Sequence, residues 1–161
     1  TAEFIAHTNK VIDIASKFNV PVIVNDRVDI MLATNAKGVH LGSYDMSIRD
    51  ARTLCGSNYI IGATTHSCEE VSHAIDAGAD YLGVGAMFSS TTKSTAPIAG
   101  IELLNAVQGH NHLAIGGINP TNIQSLLRAG CKGVAVSSAV AQSTKPGTII
   151  EELLQHKMQL A

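Results

Sequence analysis

Two acidic residues open the reading: Asp26 in Asn25-Asp26-Arg27 and Asp45 in Gly42-Ser43-Tyr44-Asp45, each directly after a short apolar run. Two carboxylates at neighbouring strand ends suit Mg²⁺, which takes few protein ligands and keeps water or phosphate oxygens. The other reading is that each acid caps, or stabilises through its charge, the start of a following helix. Asn25 likewise reads as a cap or as an amide aimed at the same ligand. The run Ser89-Ser90-Thr91-Thr92-Lys93-Ser94-Thr95 offers hydroxyl donors and one cation suited to a phosphate, or else forms a solvated loop. Gly116-Gly117 and Ser137-Ser138 add anion-binding candidates, because glycine lets backbone approach an anion and strand-end amides feeding helix N-termini hold phosphate. His66 is the histidine placed for acid–base work, since its ordinary pKa lies near neutrality. The other six, including His40 and the pair His110 and His112, read as structural or surface residues.

These residues need elements to position them, and the pattern supplies βα units. Brief apolar runs rich in Val, Ile and Gly predict strands at Pro21–Asn25, Gly38–Leu41, Tyr59–Ala63, Tyr81–Gly85, His112–Gly116 and Gly133–Ser137. Helical periodicity predicts helices at Ala2–Phe18, Val28–Asn35, Ser47–Cys55, Cys68–Ala77, Ile101–Gln108, Pro120–Ala129 and Glu151–Gln159. Asn119-Pro120 reads as an N-cap with proline at the first helical position, and Ser67 to Glu70 has capping-box spacing beside His66. Short turns such as Ala77-Gly78-Ala79-Asp80 and Ala129-Gly130-Cys131-Lys132 repeatedly join a helix to a strand. One domain over residues 1–161 follows, either an open doubly wound sheet or a closed barrel. In both, chemistry belongs at the carboxyl ends of the strands, where the candidates above lie; among the histidines His66 alone sits there, His110 and His112 being at the amino end of their strand. Six strands in 161 residues fall short of an eight-stranded barrel of about 250 residues, so a barrel here would be amino-terminally truncated.

Composition narrows the partners. With 11 basic and 13 acidic residues, no tryptophan and 4% aromatics, the chain has neither a basic stripe nor stacking platforms, so nucleic acid is not an expected partner. No apolar run approaches the roughly 18 residues of a membrane helix, and the amino terminus carries no signal-type segment. The three cysteines are odd in number and lack Cys-x-x-Cys pairing, which fits a reducing cytoplasm rather than a disulfide framework or a zinc site. Small-molecule ligands remain the expectation, with self-association left open.

The strand-end stretches PVIVNDRVDI (21–30), KGVHLGSYDM (37–46), IIGATTHSCEEV (60–71), GADYLGVGAMF (78–88), TTK (91–93), LAIGGINPTNI (113–123) and GVAVSSAV (133–140) together resemble the thiamine phosphate synthase (thiamine-phosphate pyrophosphorylase) family of TIM barrels. The resemblance implies a (β/α)8 barrel with about six of its eight units in this chain. It also implies condensation of 4-amino-5-hydroxymethyl-2-methylpyrimidine diphosphate with a thiazole phosphate, giving thiamine phosphate and pyrophosphate by a dissociative, Mg²⁺-assisted substitution. On that basis Asp26 and Asp45 bind Mg²⁺, and Asn25, Thr64 and Lys93 act on the pyrimidine diphosphate. Ser90, Thr91, Thr92, Gly117, Ser137 and Ser138 hold the thiazole phosphate. Departures exist: Ser43 stands where the family often has Gln, and the Gln-x-Arg-x-x-x-Lys cluster of the family's second strand has no counterpart. Two alternatives accompany this reading, a thiazole tautomerase in which His66 moves a proton and an inactive phosphate-ligand-binding fragment.

Overall fold

The computed structural model describes residues 1–89 and 98–158, with side chains to residue 156. Within that range the chain is α/β, and its strands are parallel and two to six residues long. It divides into two compact units, Thr1–Thr64 with Ser72–Tyr81, and Thr65–Val71 with the described residues from Leu82 onward.

The first unit opens with α1 (Ala2–Ser16) and continues through β1 (Ile23–Asn25), α2 (Val28–Leu32), β2 (Gly38–Leu41), α3 (Ile48–Cys55) and most of β3 (Ile60–Thr65). In β1, β2 and β3 spatial order follows chain order, with Asn25 opposite His40 and His40 opposite Gly62. Strand side chains alternate between faces. One face carries Val24, Val39, Leu41 and Ile61, which are buried in a core with Val28, Ile30 and Met31 of α2 and Ala51 and Cys55 of α3. From α1, Ile5 and Ile12 pack against that core, a spacing of seven that keeps both on one stripe of the helix. The opposite face carries Asn25, His40 and Gly62, so the polar strand-end residues are separated from the core by the pleat itself.

Local chemistry sets the boundaries. Ser47 opens α3, its Oγ accepting the Asp50 N–H at 3.1 Å and donating to Asp50 Oδ2 at 2.6 Å. Past α3, Arg52 donates to the carbonyls of Gly56 and Tyr59 and, from its other terminal nitrogen, to Gly78 O and Asp80 Oδ2 at 2.6–2.9 Å. Asp80 Oδ2 also accepts the Ile61 N–H at 2.7 Å, so one ion pair fastens the amino end of β3.

The second unit holds β4 (Tyr81–Val84) from Leu82, α5 (Leu103–Ala106), β5 (His112–Ile115), α6 (Ile123–Arg128), β6 (Val134–Ala135), α7 (Ser138–Ala141) and α8 (Pro146–Met158); the remaining helix, α4 (Cys68–Asp76), begins here and continues in the first unit. Spatial order again follows chain order across β4, β5 and β6. Leu82, Val84, Leu104, Val107, Ala114, Ile123 and Leu126 are almost wholly buried. All six expected strands are present. Three helix readings are corrected. The helix expected from Pro120 begins at Ile123, because the Asn119 side chain instead closes a turn by accepting the Thr121 N–H at 2.9 Å. α8 starts at Pro146 rather than Glu151, with proline at its first position, and α7 was not anticipated. Among the described residues no helix is long and apolar enough to cross a membrane.

Candidate functional site

At the carboxyl end of β1 the chain turns abruptly. Asp26 has φ +66°, the Arg27 N–H donates to Asn25 O at 2.8 Å, and the Asp26 N–H donates to His40 O at 2.8 Å. A bond from residue i+2 to i around a positive φ is the rare, strained form of γ-turn, which side-chain-bearing residues avoid. Asn25 Nδ2 donates to Asp26 Oδ1 at 2.5 Å, so the two residues act as one polar unit. After β2, Asp45 folds back over its own turn: Oδ2 accepts the Gly42 N–H at 2.7 Å, and its N–H donates to Gly42 O at 3.2 Å.

Neither acid begins a helix. The N-cap of α2 is Arg27 and that of α3 is Ser47. Of the two readings for Asp26 and Asp45, helix capping is therefore removed, and Asn25 is likewise not a cap. What remains is an Asn amide and two carboxylates at adjacent strand ends, all oxygen donors of the kind a hard divalent cation takes. Among the described residues no group of three or more His, Cys, Asp or Glu is placed to hold a metal ion.

Beside these residues lies a relay that the sequence reading missed. His40 Nδ1 is 3.0 Å from the Tyr81 hydroxyl and its Nε2 is 2.8 Å from Thr64 Oγ1, while the two rings stack with centroids 5.5 Å apart. Gly62 makes room for this arrangement, because a Cβ there would fall inside the Tyr81 ring. Burial pushes the Tyr81 phenol pKa upward, so it remains a neutral hydrogen-bonding group. Thr64 is thus brought into the same cluster as Asn25 and Asp26, through His40. The signal for His40 was available in period-2 alternation, which places it on the face of Asn25 rather than of Val24.

Just outside this cluster Arg27 pairs with Asp29: Nε donates to Oδ1 at 2.7 Å and Nη2 to Oδ2 at 2.5 Å. The hydrogen bond from Arg27 holds the Asp29 carboxyl down at about 2, and Asp29 raises the guanidinium above its already high value.

In the second unit, Gly117 and Ser137 each lie two residues beyond the last residue of β5 and β6, after the paired residues Ile115 and Ala135. Gly117 has φ +64°, and a Cβ there would collide with the carbonyls of Phe88 and Ser89. Its own carbonyl accepts from Asn122 Nδ2 at 2.9 Å. Ser137 precedes α7 without a side-chain bond to it, and Ser138 is the first residue of that helix. His66 stands before α4, where Glu70 Oε2 accepts its backbone N–H at 2.7 Å and lies 3.0 Å from Nδ1. Ser67 Oγ accepts the Glu70 N–H at 3.2 Å, completing the expected capping interaction. His112 is structural: it is buried, with Nδ1 3.0 Å from His110 O. Ser90, Thr91, Thr92 and Lys93 lie outside the described residues.

Residues 1–140 match the family model described as thiamine monophosphate synthase. The chain is 45% identical over 145 residues to a thiamine-phosphate synthase of Chloroflexus aurantiacus, covering 87% of this chain and 66% of that protein. It is 44% identical over 130 residues to one from Persephonella marina, covering 79% of this chain and 62% of that one. The solved thiamine phosphate pyrophosphorylase from Pyrococcus furiosus superposes with a TM-score of 0.89 at 34% identity, over 99% of this chain and 78% of that one. The chain spans slightly less than two-thirds of the length of these two curated relatives. With the family model matched from residue 1 to residue 140, the chain belongs to the thiamine monophosphate synthase family.

Proposed function

We propose that this chain carries most of the active site of a thiamine phosphate synthase, within a (β/α)8 barrel of which it contributes about six units. The reaction joins 4-amino-5-hydroxymethyl-2-methylpyrimidine diphosphate to a thiazole phosphate. The methylene C–O bond breaks with its electron pair leaving on pyrophosphate, and the thiazole nitrogen lone pair forms the new C–N bond. No proton need be moved by the protein, so rate comes from positioning and from stabilising the leaving charge. The observation that carries this reading is that Asp26 and Asp45 both stand at strand ends and neither caps a helix.

Asp26 and Asp45 would hold Mg²⁺, with Asn25 beside them. When bound, that ion supplies charge neutralisation for the departing diphosphate. Asn25 and Thr64 bind the pyrimidine diphosphate, with His40 holding the Thr64 hydroxyl in orientation. Lys93 is assigned by sequence to the same diphosphate, and Ser90, Thr91 and Thr92 to the thiazole phosphate with Gly117, Ser137 and Ser138. The unpaired Cys55, Cys68 and Cys131 suit a reducing cytoplasm.

The test is formation of thiamine phosphate from the two substrates with Mg²⁺. We expect product that vanishes with chelator and falls at least about a hundredfold in Asp26→Asn or Asp45→Asn, the scale of a lost electrostatic stabiliser. Product formation indifferent to all three would overturn the reading. Binding of thiazole phosphate without turnover would replace it with an inactive phosphate-ligand-binding fragment. A second reading, thiazole tautomerase, is favoured by the Glu70 contact that orients the His66 ring. It requires Mg²⁺-independent isomerisation that is lost in His66→Asn.

A further inference from the structure

Arg27 is covalently adjacent to Asp26, so the carboxylate proposed to take a divalent cation has a permanent cation next to it in the chain. Left unpartnered, that guanidinium would compete for the same oxygens, since Arg and carboxylate form a two-point, charge-assisted pair. The structure shows it committed elsewhere. Both Nε and Nη2 donate to the two oxygens of Asp29, at 2.7 and 2.5 Å, which is the fork geometry Arg could otherwise offer to Asp26. Asp26 has contacts of its own, among them Nδ2 of Asn25 to its Oδ1 and its N–H to His40 O.

We infer that Asp29 is a positioning residue that holds Arg27 away from Asp26, and so preserves the affinity of the Asp26 carboxylate for a divalent cation. The inference rests on the metal reading of Asp26. Two simpler roles for Asp29 compete with it. As an acid in the first turn of α2 it could serve only the helix dipole, and as a negative charge near the site it could act only through its long-range field. A field acts on each charge independently, so its effects add. A clamp does not: removing Asp29 matters only while Arg27 is there to be released, and removing Arg27 matters little while Asp29 already holds it. Arg27 caps α2 through its backbone with no side-chain bond, so its side chain can be replaced without disturbing that cap.

The experiment is a double-mutant cycle read by titration of Mn²⁺ alone, following the free ion by electron paramagnetic resonance on the 161-residue chain. Asp29→Asn should weaken Mn²⁺ binding about five- to tenfold, Arg27→Met should leave it within about twofold, and the double variant should return to within about twofold of the parent. Asp29→Ser, which keeps an acceptor in the first helical turn, should behave as Asp29→Asn does. Thermal melting separates recovery of binding from recovery of fold: the double variant should be no more stable than Asp29→Asn alone. Additive effects, with Arg27→Met tightening binding as much as Asp29→Asn weakens it, would leave only the field and overturn the clamp. So would an Asp29→Asn chain that binds Mn²⁺ as the parent does. A parent chain that binds no Mn²⁺ would remove the metal reading together with this inference, whereas binding with additive variants removes the inference alone.

Discussion

Asp26 occupies a left-handed backbone conformation, at φ +66°, that costs an L-residue about 1–2 kcal/mol and costs glycine almost nothing. Comparing two truncations isolates that cost, because Asp26→Gly and Asp26→Ala lose the same side-chain partners. We expect the glycine variant to be more stable than the alanine variant by about 1 kcal/mol in urea unfolding, while both lose divalent-cation binding. Equal stabilities would mean that the turn stores no strain. The residue scale is also where the sequence was read unevenly. Asn25, Asp26, Asp45 and Thr64 were legible because each follows an apolar run at its carboxyl end. That Asp26 and Asp45 are not N-caps is visible only in the coordinates, where Arg27 and Ser47 hold those positions. In the sequence His40 reads as a structural or surface residue, because it lies within a strand rather than at its carboxyl end. Its contacts with Thr64 and Tyr81 span 24 and 41 residues of chain, distances no local pattern encodes.

At the scale of elements, the Arg52 cluster ties the amino end of β3 to the turns that follow α3 and α4. Arg52 satisfies three carbonyls and the Asp80 carboxylate, which in turn accepts from the Ile61 N–H. Arg52→Ala leaves these acceptors without their donor. Because Asp80 is 47% exposed and water can replace part of the loss, we expect destabilisation of about 2 kcal/mol, below the 3–5 kcal/mol of a fully buried pair. Arg52→Lys should recover less than half, since an ammonium cannot present two forked donor pairs at fixed angles. Urea midpoints measure both, and a loss under about 0.5 kcal/mol for the alanine variant would show the cluster to be surface decoration. Elements were legible where pattern and punctuation agreed. All six strands followed from apolar runs, while the two errors at helix starts came from proline. Pro120 sits in a turn closed by the Asn119 side chain, whereas Pro146, preceded by Lys145 rather than by a capping residue, begins α8. α7 spans only four residues, too few for periodicity to register.

At the scale of the whole molecule, the telling feature is a helix that is apolar on two sides. α1 turns Ile5 and Ile12 into the core, but Phe4, Val11 and Ile14 on another face are 39–60% exposed, and beyond the helix Phe18 and Val20 are 72% and 56% exposed. Next to them β1 pairs only with β2 among the described residues. Val22 and Asp26 bond towards β2, so the alternation of a parallel ladder turns the amides of Ile23 and Asn25 to the open edge. Beside them lies a pocket of about 320 Å³ lined by Ile12, Val20, Pro21 and Val22 and, on its polar part, by Ser16, Asn19, Asn35 and Lys37. Pro21 and the three-residue length of β1 blunt this edge, and the strand itself carries no charged residue. An open strand edge beside exposed apolar side chains leads us to expect that the 161-residue chain, on its own, pairs with a second copy of itself. Sedimentation velocity over a micromolar series should therefore show concentration-dependent association. Ile14→Lys with Phe18→Glu should shift it towards monomer without lowering the melting temperature, because both side chains lie outside the core. A parent chain that sediments as one monomeric species and melts cooperatively across that series would sink the expectation, and would show that Pro21 and the short reach of β1 are by themselves enough to keep the edge closed.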